Sequence, residues 1–134
     1  MIHITIAGEC VPKGRPRFNR NGQVYTPKET LDYERLIQNQ IRLQRIKPVK
    51  GPVRLTVVIY RQVLKNWSKK KTNAAIRGEH LPVTRPDLDN YLKVIMDASN
   101  GLLYEDDNQV VEILASKRYA KMPYVEIILE ELDE

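Results

Sequence analysis

Four aspartates stand in two pairs in the second half of the chain, and their types and spacing suit metal-dependent chemistry on phosphate esters. The first pair is Asp87 and Asp89, and the second is Asp106 and Asp107. Carboxylates crowded into one pocket repel each other unless a cation compensates their charge. A hard divalent ion such as Mg²⁺ does so, because it takes oxygen ligands and keeps positions open for phosphate and water. Such an ion activates water and stabilises the charge that develops during phosphodiester cleavage.

Pro86 determines whether the first pair can act together. Residues i and i+2 of a helix point about 200° apart, so Asp87 and Asp89 would diverge if both were inside a helix. An extended approach through Pro86 instead predicts Asp87 at or before the helix cap and Asp89 in the first turn, with both carboxylates beside the helix N-terminus. Lys93, one turn later, would face the same way and stabilise developing negative charge. Whether the loop with Asp106 and Asp107 folds back over this helix start is left open by the sequence.

Each of these residues also has an ordinary structural interpretation. Asp87 suits a helix N-cap. Asp89 and Lys93 have the i, i+4 spacing of a surface ion pair, which contributes about 0.3–0.5 kcal/mol. The stretch Asp106-Asp107-Asn108 is typical of a turn. Asp97 is better interpreted as solvated, or paired on the helix surface, than as catalytic. Only the combination of these residues favours catalysis.

Basic residues are concentrated ahead of the acids. Residues 1–84 hold 17 Lys and Arg against 5 Asp and Glu, whereas residues 85–134 hold 5 against 12. Two stretches, 13–20 and 61–77, contain cations and no acid. Such runs suit a polyanion, because each neutralised phosphate releases counterions, although either run alone would also suit a solvated loop. The residues predicted to bind nucleic acid are Lys13, Arg15, Arg17, Arg20, Lys69, Lys70, Lys71 and Arg85. Trp67, inside the second run, fits a core residue or a base-stacking platform equally well.

The hydrophobic pattern predicts an α+β fold in a single small domain, residues 1–134, with a mixed β-sheet and two main helices packed mainly on one face, in the order β-α-β-α-β-β. Strands are predicted over 2–7, 53–60, 111–116 and 125–129, and helices over 27–47, with Thr26 as the cap, and 88–100, with a tight turn at Asn21-Gly22. Residues 61–80 are expected to form an exposed excursion, partly helical around Lys69 to Ile76. The last two strands are expected to pair antiparallel across a turn at Lys117 to Pro123.

The composition also limits the setting of the protein. No apolar run approaches the roughly 18–20 residues of a membrane span, and the N-terminus has no signal-peptide pattern, so no membrane partner is expected. Cys10 is the only cysteine. It excludes an intrachain disulfide and a multi-cysteine zinc site, and we therefore expect a reducing, cytoplasmic location.

Three motifs together resemble the RusA family of Holliday junction resolvases, small endonucleases often encoded by prophages. The first is Arg85-Pro86-Asp87-Leu88-Asp89-Asn90 with Lys93 and Asp97-Ala98, and the second is Asp106-Asp107-Asn108-Gln109-Val110. The stretch Val11-Pro12-Lys13-Gly14-Arg15-Pro16-Arg17 resembles the opening of the family's phage and Gram-positive branch. The resemblance covers most of the chain.

This resemblance implies a dimeric enzyme, dependent on Mg²⁺ or Mn²⁺, that makes paired symmetric nicks across four-way junction DNA in recombination and repair. It implies Asp87, Asp89 and Asp107 as catalytic metal ligands and Lys93 as the essential lysine. Asp106 matches an acid adjacent to the site, and we count it with the metal-binding acids.

A homodimer also has a physical argument. A four-way junction has approximate two-fold symmetry and needs two matched cuts, whereas this chain carries one constellation of acids, so a C2 dimer is expected. Two other functions stay open. One is a catalytically inert DNA-binding module with the same fold, in which the acids are caps and turns. The other is a metal-dependent phosphatase or nuclease that acts on other nucleic acids.

Overall fold

Within residues 1–133, which this computed structural model describes, the chain forms six β-strands and three α-helices. In chain order the elements are β1 (Ile2–Ala7), β2 (Arg17–Phe18), β3 (Val24–Tyr25), α1 (Lys28–Leu43), β4 (Val53–Gln62), α2 (Lys69–Ile76), α3 (Leu88–Ser99), a 3-10 turn (Asp107–Gln109), β5 (Val110–Ala120) and β6 (Tyr124–Glu131). None of the helices in this described part of the chain has the length and apolar composition to cross a membrane.

Four of the strands form one mixed sheet in the order β1-β6-β4-β5. β4 runs parallel to β5, and β6 runs antiparallel to both β4 and β1. β4 is rich in β-branched residues, which suit a central strand, and its Val53, Leu55, Val57 and Ile59 are buried at 0–1% exposure. The sheet and helices confirm the predicted α+β fold.

The hydrophobic core lies between one face of this sheet and the helices α1 and α3. α1 contributes Tyr33, Ile37 and Ile41, which recur every four residues and therefore lie along one side of the helix. α3 contributes the buried residues Tyr91, Val94, Ile95, Ala98 and Ser99. The two long helices also pack on each other, so the prediction that they cover mainly one face is confirmed.

The predicted pairing of the last two strands is wrong. β6 does not pair with β5; it lies between β1 and β4. Its residues Val125, Ile127 and Leu129 are buried at 0–1% exposure, as a central strand requires, whereas β5 is an edge strand that exposes Val111 and Leu114. Neighbouring strands are about 4.8 Å apart and an extended chain spans about 3.3 Å per residue, so the short connection can step over the end of one strand.

Two smaller features follow the sequence closely. Residues 17–25 form a hairpin around the predicted turn, with Gly22 at φ +75° and its amide donating to Asn19 O at 3.1 Å. α2 covers the span where partial helix is predicted.

α1 ends before its predicted limit, because Arg45 adopts a left-handed backbone at φ +53° that turns the chain away. The turn predicted from Lys117 onward is also too long, since β5 continues to Ala120.

Candidate active site and nucleic-acid interface

The first aspartate pair stands at the start of α3, as predicted. Asp87 is the N-cap residue, with an extended backbone at φ −69° and ψ 149°, and its side chain makes no capping hydrogen bond. Asp89 follows in the first turn, and both side chains are exposed. The positive end of the helix dipole favours negative charge here. Asp87 is therefore a cap by position only, and no residue in the described range 1–133 bonds its carboxylate, which leaves it available to a ligand.

Two cations hold the segment that leads into this helix. Arg61 Nη1 donates to Thr84 Oγ1 at 2.9 Å and to Arg85 O at 3.0 Å. Lys117 Nζ donates to Thr84 O at 3.0 Å and to Pro86 O at 3.2 Å. The sequence does not identify either role, because Arg61 belongs to a cationic run and the pattern predicts a turn at Lys117. Both side chains reach residues 84–86 because Arg61 and Lys117 lie near the carboxyl ends of the parallel strands β4 and β5.

A cleft of about 470 Å³, here called the Asp87 cleft, opens beside the aspartate pair. Its walls include Asp87 together with the cationic residues Lys13, Arg15 and Arg85. Lys13 N donates to Asn90 O at 2.9 Å, which fixes the N-terminal loop against α3. The structure therefore brings three of the predicted DNA-binding residues next to one predicted metal ligand.

The same loop also packs closely on α1. Gly14 N donates to Thr30 Oγ1 at 2.9 Å. A Cβ at position 14 would lie 2.8 Å from Pro27 Cγ and 2.9 Å from Thr30 Oγ1. Only glycine allows this approach, so its small size sets the position of the arginine that follows it.

Asp97 connects the two lysines of the predicted site. Lys13 Nζ lies 3.1 Å from Asp97 Oδ2 and 2.8 Å from Glu34 Oε1, and Lys93 Nζ lies 3.2 Å from Asp97 Oδ1. Partial burial opposes protonation of Lys13, but hydrogen bonds to Glu34 and Asp97 raise its pKa. Asp97 is thus paired on the helix surface, as interpreted from the sequence. Lys93 pairs with Asp97 and not with Asp89.

The loop that carries the second aspartate pair is fixed by the amide of Gln109. Gln109 Oε1 accepts from Glu105 N at 2.7 Å and Asp106 N at 2.9 Å. Gln109 Nε2 donates to Val49 O at 2.8 Å and Gly51 O at 2.9 Å. Two bonds of this amide therefore fix the loop internally, and the other two attach it to the segment that leads into β4.

The two acids of this loop differ in their surroundings. Asp106 caps the 3-10 turn and accepts from Asn108 N at 3.3 Å. Asp107 Oδ1 is buried and has no hydrogen-bond partner within residues 1–133. Burial, followed by the charge of Asp107, raises the pKa of Tyr104, whose hydroxyl donates to Met96 O at 3.2 Å. Asp107 therefore lies beside the tyrosine that contacts the C-terminal half of α3.

The aspartates supply the oxygen ligands that a divalent ion prefers, but their arrangement within residues 1–133 is not that of a complete metal site. In the part of the chain that the structure describes, no three His, Cys, Asp or Glu side chains are grouped closely enough to hold a metal. The ligand assignments therefore stay predictions. The donor set nevertheless suits Mg²⁺: Asp87 makes no cap bond, and Asp107 has an unpartnered buried oxygen. Proteins commonly hold this ion with one or two carboxylates, and water and substrate phosphate complete the shell.

The remaining predicted DNA-binding residues lie on two other exposed parts of the surface. Arg17 and Arg20 belong to the β2–β3 hairpin. Lys69, Lys70 and Lys71 form the first turn of α2, which Ser68 caps by accepting from Lys71 N at 3.1 Å. The structure thus places the predicted cations in three regions, only one of which adjoins the Asp87 cleft.

The fold and the site define a class: a small α+β domain that presents two aspartates at a helix start, one of which lines a cleft with cationic walls. The family model described as Endodeoxyribonuclease RusA matches residues 7–130 of this chain. The chain belongs to this family, which confirms the resemblance seen in its motifs. Membership supports an endodeoxyribonuclease of the Holliday junction resolvase type. The chain is also similar to the Uncharacterized protein YqaN of Bacillus subtilis (strain 168), with 41% identity over 139 residues, which cover 98% of this chain and 96% of that protein.

Proposed function

We propose that this protein is an endodeoxyribonuclease, dependent on Mg²⁺ or Mn²⁺, that resolves four-way DNA junctions by paired symmetric nicks in recombination and repair. The observation that supports it best is the unused carboxylate of Asp87 in a cleft shared with Arg15 and Arg85. Family membership supports the same reaction class. The buried thiol of Cys10 fits action in a reducing cytoplasm.

In this proposal the cations of the Asp87 cleft bind the phosphate that is cut. Arg15 and Arg85 are exposed and border Asp87, so they can contact a backbone phosphate that enters the cleft. Phosphate contacts of this kind fix the register of the DNA and do not depend on its sequence. Arg61 and Lys117 act indirectly, because they hold the backbone of residues 84–86.

The acids would hold the metal ion. Asp87 and Asp89 are the proposed ligands from α3, and Asp107 is the proposed ligand from the loop before β5. When bound, the ion supplies an activated water and compensates the charge of the transition state. Asp106 is proposed as a neighbouring acid that shapes the loop, since its carboxylate already accepts from Asn108 N. Lys93 is proposed to stabilise developing negative charge from its position one turn beyond Asp89.

Paired nicks require two copies of this site. The chain contributes one aspartate pair at one helix start, and a four-way junction presents two equivalent strands across its two-fold axis. We therefore propose a C2 homodimer, in which each protomer cuts one strand.

A direct assay separates this proposal from its alternatives. A synthetic four-way junction and a linear duplex of the same sequence are incubated with the protein, with Mg²⁺, with Mn²⁺ and with EDTA. Symmetric nicks in the junction alone, and only with a divalent ion, are expected. Junction binding without cutting under either ion would favour the inert DNA-binding module, and equal cutting of the duplex would favour a less selective nuclease. Sedimentation of the free protein at the assay concentration tests the dimer.

A further inference from the structure

A second cavity of about 550 Å³ lies where the carboxyl ends of β4 and β5 meet α2 and the segment before α3. We call it the aromatic pocket. The residues that matter to its chemistry are Arg61, Lys65, Trp67, Lys71, His80 and Tyr119. Its volume is within the range of about 300–1,000 Å³ that is usual for sites binding small molecules or single groups. None of the acids discussed above lines it.

Three aromatic rings form one wall of this pocket. The Trp67 ring meets His80 edge-on at 5.4 Å between centroids and Tyr119 edge-on at 5.0 Å. His80 and Tyr119 are parallel to within 4°, with centroids 5.7 Å apart. All three side chains are only half-buried, and none belongs to the hydrophobic core. Of the two interpretations of Trp67 that the sequence left open, the core residue is therefore wrong.

Apolar surface continues around the rings. Leu64 is 56% exposed and Val83 is 90% exposed, and both border the pocket. These side chains keep their apolar surface in water in the free protein. A flat apolar group that entered the pocket would remove that surface from water.

The rim of the pocket is cationic. Arg61, Lys65 and Lys71 border it, and Glu9 is the one acid among residues 1–133 that does so. Lys71 Nζ lies 4.3 Å from the centre of the Trp67 ring, which is a cation–π distance. Aromatic rings interleaved with cations are the arrangement with which proteins bind unpaired nucleic acid: bases stack on the rings while Lys and Arg follow the backbone.

The aromatic pocket and the Asp87 cleft share a wall. Thr84 borders the pocket, and the next residue, Arg85, borders the cleft. Arg61 lines the pocket and donates to both Thr84 and Arg85. A strand whose phosphate lies in the cleft therefore passes close to the mouth of the pocket.

We propose that the aromatic pocket binds an unpaired base of the DNA strand whose phosphate occupies the Asp87 cleft. The inference rests on the proposed function and deepens it, because it supplies a reason for choosing branched DNA. Bases inside an intact duplex are stacked on both faces and cannot enter such a pocket without the free-energy cost of unstacking. Bases at the centre of a four-way junction have already lost part of that stacking, so they enter at lower cost.

The test uses the intrinsic fluorescence of Trp67, the only tryptophan of the chain. The wild-type protein is titrated in EDTA with a four-way junction, the matching linear duplex, a single strand, and a single strand of equal length with abasic sites in place of bases. Occupancy is measured in parallel by anisotropy of labelled DNA. Strong quenching at saturation is expected with the junction and the single strand, and little with the duplex or the abasic strand. Equal quenching by the abasic strand, or none by the single strand at saturation, would overturn the proposal.

Two variants of Tyr119 give a second measurement. Tyr119→Ala removes one ring from the wall and is expected to weaken single-strand binding about tenfold, with abasic-strand binding unchanged, because stacking on one ring contributes roughly 1–3 kcal/mol per base. Tyr119→Phe keeps the ring and is expected to bind within about twofold of wild type. Tyr124→Ala is the matched control, since it removes a half-buried tyrosine of β6 that lies outside the pocket. Equal weakening by Tyr119→Ala and Tyr124→Ala, or equal loss for the abasic strand, would overturn the proposal.

These outcomes are independent of cleavage. Base-dependent quenching in a protein that never cuts a junction would refute the proposed nuclease function but still support base binding in the aromatic pocket. Junction cutting by a protein whose Trp67 fluorescence is insensitive to bases would refute base binding in the aromatic pocket but still support the nuclease function.

Discussion

Lys13 reaches from the N-terminal loop to Asp97 on α3, where its Nζ lies 3.1 Å from Oδ2, and the other oxygen of the same carboxylate holds Lys93 at 3.2 Å. One carboxylate therefore orients two cations of the candidate site. Glu34 on α1 completes the arrangement at 2.8 Å from Lys13 Nζ. The N-terminal loop, α1 and α3 are joined by charge as well as by apolar contact.

Asp97→Asn should release Lys93 and leave Lys13 paired with Glu34 alone. Lys93 would lose its orientation and cleavage of the junction should fall at least several-fold. The free energy of unfolding should fall by about 1 kcal/mol, because the Lys13 pair that is lost is partly buried, whereas Lys93 is mostly exposed. Cleavage kinetics and urea unfolding measure the two effects. Asp32→Asn is the control, since its pair with Arg35 is 3.8 Å long and exposed. Asp97 has no positioning role if both variants cleave like wild type.

Asp89→Asn should abolish cleavage while DNA binding persists or tightens, because the substitution removes a proposed metal ligand and a charge that repels phosphate. Single-turnover cleavage and junction affinity in EDTA are the measurements. Asp32→Asn again makes the same chemical change at an exposed acid outside the site and should leave both values unchanged. Wild-type cleavage by Asp89→Asn would show that the metal-site assignment is wrong.

Gln109→Leu should detach the loop that carries Asp106 and Asp107 from the segment that leads into β4. The change removes four hydrogen bonds that involve the side-chain amide and leaves Val49 O and Gly51 O without that donor. At about 1 kcal/mol for each neutral hydrogen bond, we expect a loss of roughly 2–4 kcal/mol in stability. Cleavage should fall by more than the loss of folded protein explains, because Asp107, a proposed metal ligand, moves with the loop.

Gln44→Leu is a suitable control for this loss, since residue 44 is an exposed glutamine at the end of α1. Urea unfolding of both variants, followed by cleavage assays at a temperature where each is folded, separates stability from positioning. Equal stability of the two variants would mean that the amide of Gln109 does not hold the loop.

Replacing Lys69, Lys70 and Lys71 by Gln should weaken binding to junction, duplex and single strand alike. The slope of log affinity against log salt should become shallower by up to about 0.9 for each duplex phosphate that the variant no longer neutralises. Titrations at several salt concentrations measure this slope. Changing Lys28, Lys47 and Lys50 to Gln gives a control with the same loss of charge elsewhere on the chain. An unchanged slope in the first variant would mean that α2 does not touch phosphate.

Stability should fall as the solution becomes alkaline. Burial raises the pKa of Cys10 from 9.0 to about 12, and burial also raises the pKa of Tyr33 above its ordinary 10.0. The unfolded chain therefore loses these protons first. The contribution is fully present below pH 9 and is lost as the pH rises from 9 towards 12, with a slope of up to about 1.4 kcal/mol per pH unit for each group.

Urea unfolding between pH 7 and 11 checks this prediction. Cys10→Ala should make the fall shallower above pH 9, because one of the buried groups that titrate in this range is gone. The comparison uses slopes, so a change in core packing caused by the substitution does not affect it. A free energy of unfolding that stays constant up to pH 11 in the wild-type protein would contradict the burial of these groups.

The sequence predicts those parts of the fold that depend on local pattern. The start of α3, the position of Asp87 at its cap and the pairing of Asp97 on its surface all follow from spacing within a few residues. The neighbours of β6 do not, because a central and an edge strand can share the same alternation, and burial of Ile127 depends on the whole sheet.

The candidate site shows the same limit. The contacts between Gln109 and Val49 span 60 positions, and those between Arg61 and Thr84 span 23. No periodicity encodes such contacts, because they arise when separate elements pack. The sequence therefore identifies the acids of the candidate site, but it does not identify the long-range contacts that position them.

The position of β6 between β1 and β4 has a consequence for the synthesis of the protein. The ribosome makes β6 after every other strand of the sheet, and it is the strand that joins the first to the rest. A nascent chain that has not reached residue 131 leaves β1 and β4 without their shared neighbour, so β1 cannot join the paired strands β4 and β5. Chains interrupted before this point would carry all four aspartates but lack the complete four-stranded sheet of the folded protein.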